Sequence, residues 1–90
     1  MKVRKTRAFA QQEKKLKKNQ KLALDEAVQE IENNPGIGIE KKGDLRNVRL
    51  HKFKMVGQLT LIACDYNEET VTLTLLMLGP HENFYRDLKR

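Results

Sequence analysis

The sequence predicts an α+β fold: an N-terminal strand and a helical hairpin packed on one face of a mainly antiparallel sheet that ends in a three-strand C-terminal meander. Three observations predict it. Apolar residues recur at helical spacing between residues 7 and 33, and Asn33-Asn34-Pro35-Gly36 stops that pattern. Beyond residue 47 come three runs with strand character. The links between those runs are too short for anything but hairpins.

Residues 2–6, KVRKT, read as a short edge strand whose lysines suit an unpaired edge. Residues 7–18 read as a helix with Phe9 and Leu16 on one narrow stripe, broken at Asn19-Gln20. A second helix over residues 21–33 aligns Leu24, Ala27, Val28 and Ile31. Proline disfavours helix in its predecessor and glycine serves the turn, so this helix ends clearly. Residues 36–43 read as loop. The three strands fall at about 48–54, 59–66 and 71–78, with LTLIAC in the middle one apolar on both faces. Ninety residues supply one modest core, so residues 1–90 form a single domain.

Alternation assigns Val48, Leu50, Leu59, Leu61, Ala63, Val71, Leu73 and Leu75 to the face that receives the helices. Arg49, His51, Thr60, Ile62, Cys64, Thr72, Thr74 and Leu76 then share the other face, a half-polar and cationic trough.

The net charge is +6 and the placement of charge is uneven. Residues 1–22 carry nine Lys or Arg against Glu13 alone, four of them the lysines at 14, 15, 17 and 18. An acidic stretch with Asp25, Glu26, Glu30, Glu32 and Glu40 follows, and then Lys41, Lys42, Arg46, Arg49, Lys52 and Lys54 against Asp44. Basic blocks of this kind point to an anionic partner, and the trough suits a nucleic-acid backbone. The lone Cys64, inside an apolar strand, allows no disulfide within the chain and fits a reducing cytoplasm. No apolar run approaches the ~20 residues of a transmembrane helix, so no membrane partner is expected.

Chemistry concentrates at the end of the third strand. After Gly79-Pro80 come His81, Phe84, Tyr85 and Arg86. Cleaving a phosphodiester through its own 2′-hydroxyl requires a base, an acid and a cation near the phosphorane. An imidazole titrates near ~6.5, so His81 and His51 can divide the first two tasks. Arg49, Lys52, Lys54 or Arg86 can supply the third, and Tyr85 can hydrogen-bond the phosphate or stack on a base. His51 reads equally as a half-exposed strand spacer, Phe84 as a plug docking the tail, and Lys14, Lys15, Lys17 and Lys18 as a solvated helix face. No CxxC, HxH or HExxH spacing is present, so neither metal nor other cofactor is expected.

Basic strand, helical hairpin, GDLRNVRL leading into the meander and the ending LGPHENFYR together resemble the RelE/ParE superfamily of toxin–antitoxin toxins. The resemblance covers nearly the whole chain and is most specific at its end, where Gly79, His81 and Tyr85 match the small residue, histidine and aromatic of the ribosome-dependent mRNA interferases. It implies a toxin that cuts mRNA in the ribosomal A site, with His81, Tyr85, His51 and Arg49 catalytic. Lys52, Lys54, Gln58, Arg86, Lys14, Lys15, Lys17 and Lys18 would contact RNA, and a cognate antitoxin would be a partner. One departure is that Gln58, Leu59 and Thr60 stand where relatives carry a phosphate-contacting arginine. The alternatives are a ParE-like inhibitor of DNA gyrase, which does not need the His–Tyr pair, and a non-enzymatic basic RNA-binding module.

Overall fold

The computed structural model describes residues 1–35, the backbone of residues 39–40, and residues 48–80. Strand β1 (Lys2–Lys5) leads into α1 (Arg7–Lys14) and α2 (Lys18–Asn33), followed by a two-residue strand β2 (Ile39–Glu40) and the meander β3 (Val48–Met55), β4 (Gln58–Asn67) and β5 (Thr72–Pro80). The strands lie in the order β1-β5-β4-β3-β2. β1 runs parallel to β5, and every other pairing is antiparallel. The α+β architecture is thus the expected one, with β1 on an edge.

Three expectations about local structure are corrected. The helix break falls at residues 15–17, not at Asn19-Gln20. Leu16 packs against the core there, and Lys17 is extended at φ −75, ψ 165. Gln20 is not a breaker but a cap, because its Oε1 accepts the Lys17 backbone N–H at 2.8 Å. Within residues 36–43, Ile39–Glu40 is strand rather than loop and pairs with Leu50 and Arg49. The first hairpin turns on Val56-Gly57, both at positive φ (50 and 88). That conformation suits glycine and is costly for a β-branched valine. In the second turn, Asn67 Oδ1 accepts from the backbone N–H groups of Glu69 and Thr70, and Val71 is left outside the strand at φ 51.

The face assignment of β3 and β4 is inverted. Phe9, Leu24, Ala27 and Ile31 from the helices bury against Met55, Ile62, Cys64, Leu73, Leu75 and Leu78. His51, opposite Ile62, and Arg49, opposite Cys64, therefore belong to the helix-covered face by register. The other face is no polar trough. Leu50, Leu61 and Ala63 form a second buried cluster on it, with Val48, Leu76 and Met77 packed alongside. Lys52 and Lys54, opposite Leu61 and Leu59, are exposed cations of that face, as are Lys2 and Arg4, opposite Thr72 and Thr74. For β5 the expectation holds at Leu73 and Leu75, which do meet the helices.

A one-residue register shift makes this possible. Ala63 pairs with Met77 but Cys64 pairs with Leu75, which leaves Leu76 as an extra residue in β5. The parity of the strand flips there, so Leu75 and Leu78 reach the same core. Thr6 holds the irregular point. Its backbone N–H donates to the Leu75 carbonyl at 3.1 Å, and its hydroxyl donates to the Leu76 carbonyl at 2.6 Å. The same hydroxyl accepts the Phe9 N–H at 3.1 Å, capping α1. α1 then packs over β5, and α2 over β3.

A second tie is ionic. Glu13 of α1, with its side chain only 13% exposed, contacts Lys5 of β1 at 2.8 Å and Lys21 of α2 at 3.4 Å. Partial burial pushes its carboxyl up, but the hydrogen bonds and charges of Lys5 and then Lys21 outweigh this and hold it below the ordinary 4.5.

Replacing Thr6 with Val keeps the shape and removes both hydroxyl bonds. We expect a loss of about 2 kcal/mol in urea unfolding, the sum of a cap and one buried hydrogen bond. Glu13→Gln should cost up to about 1 kcal/mol at neutral pH. Because the folded-state pKa is depressed, that contribution is complete above 4.5 and is lost as pH falls through the folded value. Wild type and variant should therefore converge in acid, as urea titrations at stepped pH will show.

Candidate functional site at the end of β5

The α1–α2 turn, the β3–β4 hairpin and the end of β5 surround a hollow of about 380 Å³ that is open to solvent. Its apolar walls come from Leu16, Met55 and Leu78, and Gln12, Gln20 and Gln58 bring three amides to it. Thr60, Gly79 and Pro80 complete the lining. Pro80 is there because of the shift at Leu76, which sets it opposite Thr60 on the helix side. The Thr60 hydroxyl donates to the Gln58 carbonyl at 3.1 Å and so fixes the start of β4.

Around Leu16, the lysines at 14, 15, 17 and 18 are exposed, and none is in an ion pair among the described residues. Lys5 and Lys21 differ, since Glu13 occupies both. The arrangement can do two things chemically. Apolar walls with amide donors and acceptors suit a planar polar group such as a nucleobase, and exposed ammonium groups suit phosphate.

The sequence-derived site is divided by the structure. Gln58 lines this hollow, whose rim is also the last described residue of β5, and the four lysines flank Leu16 of its wall in the sequence without lining it. His81, Phe84, Tyr85 and Arg86 lie outside the described residues. Arg49 and His51 do not join an open-face trough, because both belong to the face beneath the helices. His51 is 7% exposed, its ring stacks near Phe53 with centroids 6.3 Å apart, and its Nε2 lies 3.6 Å from Glu30 Oε2. Lys52 and Lys54 are exposed at the β3 edge, and Lys54 reaches around to the α2 side, where it lines another hollow with Glu26 and Glu30.

Cys64 is inert packing, as expected. Burial pushes its thiol up to about 11; Arg49 opposes that shift and Asp65 adds to it. Its Sγ donates to the Arg49 carbonyl at 3.7 Å. Among the described residues no three His, Cys, Asp or Glu side chains converge as metal ligands, and no helix is long and apolar enough to cross a membrane.

Sequence reasoning missed Gln12 and Gln20. The sequence carried no usable signal for them, because the two glutamines lie on different helices and are brought to one hollow by the turn at residues 15–17, which the helical periodicity does not place.

With the geometry in place, comparison with known proteins assigns the family. The family model described as a ParE-like toxin of a type II bacterial toxin–antitoxin system matches residues 3–89, and the chain belongs to that family. It is a type II toxin with the RelE/ParE fold. A substituted form of E. coli RelE in the free state superposes with a TM-score of 0.76 at 14% identity, covering 98% of this chain and 90% of that one. A chain of the intact E. coli RelBE toxin–antitoxin complex gives 0.73 at 16% identity, over 90% and 96%. The YoeB/ParE toxin from Agrobacterium tumefaciens gives 0.72 at 11% identity, over 90% and 99%. Likeness at such identities is one of fold. Comparison with curated protein sequences gave no match.

Proposed function

We propose that the protein is a ribosome-dependent endoribonuclease that cuts mRNA in the A site, in the cytoplasm, and is held inactive by a cognate antitoxin. The observation that carries this reading is the delivery of β5 to a hollow with apolar walls and three amides, beside four exposed lysines. The next residue after Pro80 is His81, followed by Tyr85 and Arg86.

In this reading a base at the hollow's rim removes the 2′-proton, and the 2′-oxygen attacks phosphorus. The 5′-oxygen leaves as it gains a proton, giving a 2′,3′-cyclic phosphate and a 5′-hydroxyl. His81 is the acid–base group, Tyr85 hydrogen-bonds the phosphate, and Arg86 offsets the charge of the phosphorane. Gln58 contacts the RNA where relatives carry arginine. Lys14, Lys15, Lys17 and Lys18 hold phosphates, whereas Lys52, on the other face, meets ribosomal RNA rather than the cut strand. Arg49 and His51 pack β3 against α2 and take no part in the chemistry.

The family description favours one other reading, a ParE-like block of DNA gyrase. The two separate cleanly. Under the nuclease reading, expression arrests translation, and primer extension shows in-frame cuts only when ribosomes are engaged. His81→Ala and Tyr85→Phe should each reduce cutting at least ~100-fold. Intact mRNA with arrested DNA replication, and undiminished toxicity of His81→Ala, would establish the gyrase reading instead.

A further inference from the structure

The hollow at the end of β5 has an uncharged lining. Among the described residues every side chain on it is neutral, in a protein of net charge +6. Leu16, Met55 and Leu78 give it apolar walls, and Gln12, Gln20 and Gln58 bring amides. A phosphate would find no cation inside, and an aliphatic side chain would use none of the amides. A flat group with apolar faces and a polar edge answers both parts of the lining, and a nucleobase is such a group.

One of the amides has a fixed polarity. A glutamine can present either its oxygen or its nitrogen, and no side-chain hydrogen bond among the described residues orients Gln12 or Gln58, which are exposed. Gln20 differs. It is half-buried, and its Oε1 accepts the Lys17 backbone N–H at 2.8 Å. Only an oxygen can take that hydrogen, so the amide cannot flip without losing the bond that caps α2. Its Nε2, which makes no hydrogen bond among the described residues, is left to a ligand as a donor only. A base enters with its ribose at the mouth, so the edge remote from the sugar meets the half-buried group. On that edge uracil carries O4 and guanine O6, both acceptors. Cytosine and adenine carry an NH2 group there, which would face another donor.

We propose that this hollow is a nucleobase pocket selective for the keto bases, uracil and guanine, with Gln20 as the residue that reads the carbonyl. The inference rests on the reading that RNA enters the hollow, and it adds which bases the site accepts. It involves neither His81 nor the phosphate that is cut.

The test is a set of NMR titrations of the full-length chain with free nucleosides, following the Gln20 side-chain amide and the Met55 methyl. Uridine and cytidine have the same shape and differ in their hydrogen-bonding edge, and so do inosine, which carries guanine's O6, and adenosine. We expect saturable shifts with a Kd of roughly millimolar size for uridine and inosine. Cytidine and adenosine should bind at least ~5-fold more weakly, the loss of about one hydrogen bond. Gln20→Glu keeps the oxygen that accepts from Lys17, so α2 still starts in place, but it puts an acceptor where the donor was. It should erase or reverse both preferences. Shifts that saturate with no nucleoside would overturn the pocket. Saturation without the keto preference, or with that preference intact in Gln20→Glu, would overturn Gln20 as its reader. Uncut mRNA together with a retained keto preference rejects the nuclease reading alone, and in-frame cutting without the preference rejects this inference alone.

Discussion

The hydroxyl of Thr6 sits where the architecture could most easily fail. A strand of regular alternation cannot present Leu75 and Leu78 to one core, because they are three residues apart. The extra residue at Leu76 resolves this, at the expense of a local break in the β4–β5 ladder. Thr6 ties the carbonyl of that residue to the first turn of α1. Helix start and strand irregularity are thus one structure. Without the shift, Pro80 would stand opposite Leu59 on the other face, and β5 would deliver the chain away from the hollow.

The same constraint explains which parts of the fold were legible in the sequence. Helices and hairpins announced themselves, since a 3.6-residue stripe through Leu24, Ala27 and Ile31 and the short links around Gly57 and Asn67 are local signals. The faces were not legible. β4 reads LTLIAC, apolar on both sides because it is buried on both, so alternation carries no direction there. In β3 the apolar Val48 and Leu50 read as helix-side residues, yet they serve a second cluster with Leu61 and Ala63. Arg49 and His51 went to the wrong face as a consequence. A bulge is a tertiary compromise with no motif of its own, and nothing near Leu76 marks it.

Charge is organised around this frame. Glu13 draws Lys5 and Lys21 into the joint between β1, α1 and α2, which accounts for two members of the N-terminal basic block as structural. Lys14, Lys15, Lys17 and Lys18 remain at the α1–α2 turn, where Leu16 anchors the backbone and lets its neighbours project outward. The acidic residues gather on α2 instead, with Glu26 and Glu30 over the β3 edge. Among the described residues, the molecule thus separates a cationic α1–α2 turn from an acidic flank of α2.

Where the message strand lies is the claim on which the functional account turns, and site-specific photo-crosslinking on the ribosome measures it directly. With a benzophenone side chain at position 58 or at position 52, the toxin would be irradiated on ribosomes carrying labelled mRNA. The account predicts mRNA adducts from the replacement of Gln58, beside the hollow, and none from the replacement of Lys52 on the opposite face. Adducts from position 52 and none from position 58 would contradict it and return the RNA to the far side of the sheet.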